Sequence, residues 1–224
     1  MKQRFTELAA AAILLGAMPA AHAIPTLSLS VDGASALVCA DGAACDQSSV
    51  TGAVSVNQML GDFLVNITTG LSKPLLSGGD PLMDLSSVNI QVAGGAHTLE
   101  IKFSDTDFDI EGGRFGIVNG GTLFGTDAAL EHSAYYDTGN NLFGSGALIG
   151  QVAYGSGAFS GSADGGWSPA GPYSVTEILK LTTAGGPAVF SGDFAVKVPE
   201  PATLALVGFA LFAFGVVRLR RQPA

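Results

Sequence analysis

Seven stretches of this 224-residue chain alternate apolar with polar side chains: TLSLSV, AVSVN, FLVNIT, SVNIQV, HTLEIKFS, YSVTEILKLT and FSGDFAVKV. A period of two puts successive side chains on opposite faces, so each stretch predicts a strand with one buried face. No segment between them repeats its apolar residues every three to four positions. Gly, Ser, Asp and Asn punctuate the strands at short intervals, and GSGALIGQVAYGSGAFSGSADGGW is so rich in glycine that it reads as loops and short strands on one side of the stack. The pattern predicts an all-β fold, a single antiparallel β-sandwich or jelly-roll-like domain. No repeat of fixed period and no break in composition divides it.

The two ends differ from the part that folds. MKQRFTELAAAAILLGAMPAAHA has Lys2 and Arg4, then an apolar Leu8 to Met18, then Ala21-His22-Ala23. That order predicts a secretory signal peptide over 1–23, cleaved after Ala23 with Ala21 as the other small residue at the site. At the other end Ala202 to Val217 carries no charge. As a helix it would be apolar on every face and about 24 Å long, a little under the ~30 Å hydrocarbon core. Pro201 suits a first helical position, and Arg218, Arg220 and Arg221 supply the positive charge that stays cytoplasmic. The reading divides the chain into signal peptide 1–23, exported domain 24–197 and tail 198–224, with a transmembrane helix at 202–217. The 19 acidic and 10 basic residues of the whole chain become 17 and five once Glu7, Glu200, Lys2, Arg4 and the three tail arginines are set aside. The exported domain therefore carries about −12, a surface that repels nucleic acid and anionic lipid.

Signal peptide, β domain, Pro199-Glu200-Pro201, apolar run and Arg218-Leu219-Arg220-Arg221 together resemble a PEP-CTERM protein. The resemblance implies that an exosortase, a membrane-embedded peptidase, recognises Pro199, Glu200 and Pro201 as a sorting signal and removes the tail, and that signal peptidase acts at the other end. It further implies a domain held outside the inner membrane and then passed to the cell surface or beyond, in a bacterium that makes exopolysaccharide. A eukaryotic lipid-anchor signal lacks the terminal basic cluster. A looser resemblance covers most of Ser28 to Val196: CADGAACD, TTGLSKPLL, IKFSDTDF, YDTGNNLFG and GPYSVTEILKLT look like a β-sandwich ectodomain common among PEP-CTERM proteins. It brings no activity with it.

Within the domain, Cys39 and Cys45 flank the turn signal Asp41-Gly42, a spacing that in an exported chain predicts a disulfide. In SDTDFDIEGG, Asp105, Asp107, Asp109 and Glu111 occupy alternate positions. As a strand, this stretch would present four carboxylates on one face and Thr106, Phe108 and Ile110 to the core. Such a face is either solvated or a candidate calcium site, although the stretch lacks the glycine and the terminal glutamate of an EF-hand loop. Trp167, in GGWSPAGPY with Tyr173 close behind, is either a carbohydrate contact or a cap on the core. His97 and His132 read as ordinary surface residues. No G-x-S-x-G elbow, phosphate loop or dinucleotide fingerprint occurs. The expected function is that of a non-enzymatic surface or matrix protein, associated with exopolysaccharide or biofilm and without a cofactor. The alternative is a carbohydrate-binding module recognising exopolysaccharide.

Overall fold

Each alternating stretch forms a strand. In chain order the strands are β1 (Thr26–Val31), β2 (Leu37–Ala40), β3 (Ala53–Leu60), β4 (Phe63–Leu71), β5 (Met83–Val92) and β6 (Gly95–Phe108). They continue as β7 (Arg114–Gly125), β8 (Ala129–Asp137), β9 (Ala147–Tyr154), β10 (Gly157–Trp167), β11 (Tyr173–Gly185) and β12 (Ala188–Lys197). The computed structural model describes residues 24–76 and 81–198. The expected signal peptide, with Ala21 and Ala23, lies outside the described residues, as do Pro199, Glu200, Pro201, the apolar run 202–217 and Arg218, Arg220 and Arg221. Among the described residues no helix is long and apolar enough to cross a membrane.

The strands form two six-stranded sheets, β2-β1-β6-β11-β8-β9 and β10-β7-β12-β5-β4-β3. Every pairing is antiparallel. The expected two-sheet antiparallel sandwich is the observed architecture. β12 shows the underlying rule most simply: Ala188, Phe190, Phe194 and Val196 are buried, while Val189, Ser191 and Asp193 face out. Inner faces of this kind from both sheets meet in one core. At one end it is aromatic, with Tyr173 between Phe108, 6.0 Å away, and Phe115, 5.8 Å away. Phe159, Phe190 and Phe194 fill its middle.

In β5 a residue at positive φ absorbs a slip in the alternation. Ser87, at φ 55°, lets Met83 and Leu85 share the inner face with Val88, Ile90 and Val92, and the Asp193 carboxylate accepts its N–H at 2.7 Å. The glycine-rich stretch expected to be loops and short strands on one side of the stack instead forms two longer strands, β9 and β10, of eight and eleven residues, one at an edge of each sheet. Its small residues answer to close approach: a Cβ on Gly165 would run into the Ile149 carbonyl of β9. The edges of the two sheets draw together there.

The expected disulfide joins Cys39 and Cys45 across a Cα separation of 5.8 Å. Asp41 and Asp46 hold the enclosed turn onto β3, accepting the N–H groups of Gly52 at 2.6 Å and Ser55 at 2.9 Å. Lys197 faces Gly116, Trp167 faces Arg114 and Tyr173 faces Phe108. These residues therefore share the end of the sandwich from which the chain leaves for its tail.

Candidate functional site

The chemically distinctive side chains gather in two places, at the tail end and in the middle of the core. At the tail end the acidic stretch does not form the expected face. β6 keeps the phase of Leu99, Ile101 and Phe103, and that phase carries Asp105 inward, where it is fully buried. Asp107, at φ 59°, breaks the alternation, so that Phe108 also turns inward and the strand ends. Asp107, Asp109 and Glu111 are exposed while Asp105 points the opposite way. The four carboxylates therefore do not share a face. Among the described residues no three His, Cys, Asp or Glu side chains lie where one metal ion could be held.

Lys73 supplies the positive charge here. Its ammonium donates to the carbonyls of Thr106 and Asp107, both at 2.6 Å, and lies 4.2 Å from the centre of the Phe108 ring. Burial pulls its pKa below the ordinary lysine value, against the pull of Asp105, Asp107 and Asp109. The Asp105 carboxylate accepts the Ser72 hydroxyl at 2.6 Å and the Thr106 N–H at 2.8 Å. Burial still raises its pKa above the usual carboxylate range.

Trp167 and Tyr173, expected as a possible pair of carbohydrate contacts, are separated by the structure. Tyr173 is fully buried, and its hydroxyl donates to the Ile110 carbonyl at 3.0 Å. It is a core residue, because β11 enters the sandwich there with its aromatic face inward, and burial drives the pKa of its phenol up. Trp167 is 67% exposed. The next residue explains why: Ser168 is buried and clamped to Gly113, with its hydroxyl accepting the Gly113 N–H at 3.0 Å and its own N–H reaching the Gly113 carbonyl at 2.8 Å. The indole is held outward beside this clamp and does not cap the core.

In the core, a polar chain crosses from one sheet to the other. The Tyr154 hydroxyl of β9 donates to Asn119 Oδ1 of β7 at 2.7 Å. Asn119 Nδ2 lies 3.0 Å from His132 Nδ1 of β8, and His132 Nε2 lies 2.8 Å from Glu177 Oε1 of β11. With the Asn119 oxygen taken by the tyrosine, its N–H donates to Nδ1, which leaves Nε2 as the protonated nitrogen facing Glu177. His132 and Glu177 are both fully buried, contrary to the expectation that both histidines sit on the surface. Glu177 Oε2 has no hydrogen-bond partner, and burial raises the pKa of the carboxyl. Both ring nitrogens of His132 are occupied by an amide and a carboxylate, so no hydroxyl is poised on the imidazole.

His97 matches the surface expectation. It bridges Asp32 at 2.7 Å and Asp62 at 3.2 Å, and the Asp32 hydrogen bond raises its pKa.

Residues 197–221 match the family described as the PEP-CTERM protein-sorting motif. The match begins at Lys197, the last residue of β12. No curated protein matches the chain in sequence. Among solved structures it is similar to TmCBM61 in complex with beta-1,4-galactotriose, at 13% identity over 61% of this chain and 82% of that one, with a TM-score of 0.34. It is also similar to the CBM22-1 xylan-binding domain from Paenibacillus barcinonensis Xyn10C, at 16% identity over 70% of this chain and 92% of that one, with a TM-score of 0.32. A third is the enzymatically active domain of Bacteriophage CBA120 tailspike protein 4, at 14% identity over 61% of this chain and 19% of that one, with a TM-score of 0.32. Scores of this size carry no functional argument.

Proposed function

We propose that this is an exported, non-enzymatic surface or matrix protein whose C-terminal tail holds the domain outside the inner membrane until an exosortase removes it. One observation carries the reading: the PEP-CTERM sorting motif starts on the final residue of the last strand. The folded domain thus passes into its sorting tail without an intervening linker. On this reading signal peptidase cuts after Ala23, Pro199, Glu200 and Pro201 are the triplet that the exosortase reads, and Arg218, Arg220 and Arg221 hold the cytoplasmic end. A residue that precedes a proline favours extended backbone, the form a peptidase groove accepts. Mass spectrometry of the chain from cells with an active exosortase tests it. Loss of the segment beyond the triplet is expected, and a Pro199→Ala, Glu200→Ala, Pro201→Ala variant should remain full length and membrane-bound. An unaltered chain that keeps Arg218 to Ala224 in such cells makes the tail a permanent anchor instead.

The exposure of Trp167 supports a second reading, in which the domain recognises exopolysaccharide. An indole with an open face stacks on the apolar face of a sugar ring. Retention of the full chain on the exopolysaccharide of the producing cell, lost in Trp167→Ala, is the expected result. Equal retention of both proteins removes Trp167 from any such site. Calcium held by Asp107, Asp109 and Glu111 would require ligands beyond these three, and a melting temperature unchanged by chelator is the expected outcome.

A further inference from the structure

The outer face of the second sheet changes character along its strands. Near the tail end it carries Asp84, Asp193 and Lys197. Near the far end a row of residues runs straight across five strands: Met59 pairs with Leu64, Leu64 with Gln91, Gln91 with Val189, and Val189 with Phe124. All five point to solvent, and the two ends of the row are the most open, Met59 at 60% and Phe124 at 61%. The adjoining row is polar but uncharged: Asn57, Asn66, Asn89, Ser191 and Thr122 follow one another across the same strands. Two successive rows without a charge are unusual on a domain with 17 acidic and five basic residues.

We propose that this half-face is a self-association surface on which a second copy of the chain docks about a two-fold axis parallel to the strands. Two features select that occupant. The first is charge. Another copy is as acidic as this one and is repelled elsewhere, whereas here two neutral patches meet, and among the described residues lining the groove Asp62, paired with His97, is the charged one. The second is symmetry. β5 is the middle strand of the five, so an axis over Gln91 sets Met59 against the second copy's Phe124 and Leu64 against its Val189. Long meets long and short meets short, which is the self-complementarity an isologous interface needs. The two Gln91 amides meet on the axis, where each can donate to the other's oxygen.

The direction of the axis follows from where the tail begins, and to that extent rests on the tethered reading above. Val189 is in the row and Lys197 is eight residues further along β12, about 27 Å at the rise of an antiparallel strand. An axis parallel to the strands leaves both tails at the same end, so two copies tethered to one membrane can pair. An axis along the row would set Met59 on Met59 and point the tails in opposite directions. The patch is smaller than the ~800 Å² per partner of a standard stable interface, so pairing depends on the raised local concentration that a shared membrane provides.

The chain has no free cysteine among its described residues, and its two cysteines are joined to each other, so an introduced thiol reports its own position. Full-length Gln91→Cys, purified and reconstituted in neutral lipid vesicles, should be joined by a short bis-maleimide that spans the ~10 Å between packed sheets. Met59→Cys alone should not be joined, because its copies stand about 19 Å apart laterally at a strand spacing of ~4.8 Å. A mixture of Met59→Cys and Phe124→Cys should be. Adding Val189→Asp to Gln91→Cys, at an exposed site, should cut the yield about tenfold by pressing a carboxylate against the second copy's Leu64. Yields for Gln91→Cys no higher than for Thr182→Cys, on the opposite sheet, overturn the proposal. So does self-joining of Met59→Cys, or indifference to Val189→Asp. If Val189→Asp instead abolishes retention on polysaccharide while Gln91→Cys stays unjoined, the face belongs to a glycan and the proposal fails. Flotation of the vesicles is scored separately, and the same reactions are run on the concentrated chain in detergent. A tail that fails to anchor therefore changes the first result without imitating the second.

Discussion

Two carboxylates are buried in the first sheet, and the protein treats them differently. Asp105, near the tail end, receives a hydroxyl and a backbone N–H and lies near the Lys73 ammonium. Glu177, in the middle, receives one imidazole N–H and leaves its second oxygen unpaired. Both have raised pKa values, and in both the leading cause is burial. The difference lies in redundancy: Asp105 can lose a partner and keep another, whereas Glu177 depends on His132 alone. A buried charge is costly chiefly when its compensation is removed, so these two sites should respond unequally to the same kind of damage.

The largest expected effect is at the dependent site. His132→Ala strips Glu177 of its single donor and should cost about 3 to 5 kcal/mol, read as a lower midpoint in denaturant unfolding. A loss no greater than that at the Asp105 site would erase the contrast. Ser72→Ala, which removes one of Asp105's donors, should cost about 1 to 3 kcal/mol.

A third test uses pH. A carboxyl whose pKa is raised on folding holds its proton more tightly in the native state, so its contribution to stability is full below the ordinary value of about 4.3 and is lost as pH rises through the raised one. Glu177, Asp105 and Asp84 all shift in this direction, each chiefly through burial. Glu177→Gln should therefore flatten the decline in stability as pH rises above the ordinary carboxyl value in urea titrations, and Asp105→Asn should flatten it less. Equal flattening would mean that the extra partners of Asp105 count for nothing. The smallest effect belongs outside both pockets: Trp167→Ala should change stability by no more than about 0.5 kcal/mol, because the indole is exposed.

Much of this arrangement was legible in the phase of the strands. In YSVTEILKLT the residues Val175, Leu179 and Leu181 share a face with Glu177, and in ALEHSAYYD Leu130 and Ala134 share one with His132. Read strictly, period two already places both inside. The acidic stretch misleads because its own alternation competes with that of the residues before it. LEIKFSD puts Asp105 inward with Phe103, and a bulge at Asp107 then resets the phase for Phe108. Sequence patterning does not announce a bulge whose residue is an aspartate rather than a glycine. Lys73 gives no such signal for another reason: it lies 33 residues from its partner Thr106, and long-range approach leaves no local trace. The apolar row was equally hidden. Each of its members is a single outward apolar residue, unremarkable alone, and the row appears only when the register of five strands is known.

The position of β12 bears on how the protein carries load. The strand that leads to the tail is not at an edge of its sheet; β7 lies on one side and β5 on the other. Tension applied through the C terminus runs along β12 and strains both ladders in shear, so many hydrogen bonds must yield together instead of opening one by one as in a peeled edge strand. Phe190, Phe194 and Val196 are embedded in the core along the same line and resist sliding with it. Whatever grips the tail, drag on the domain is borne by a strand bonded on both sides.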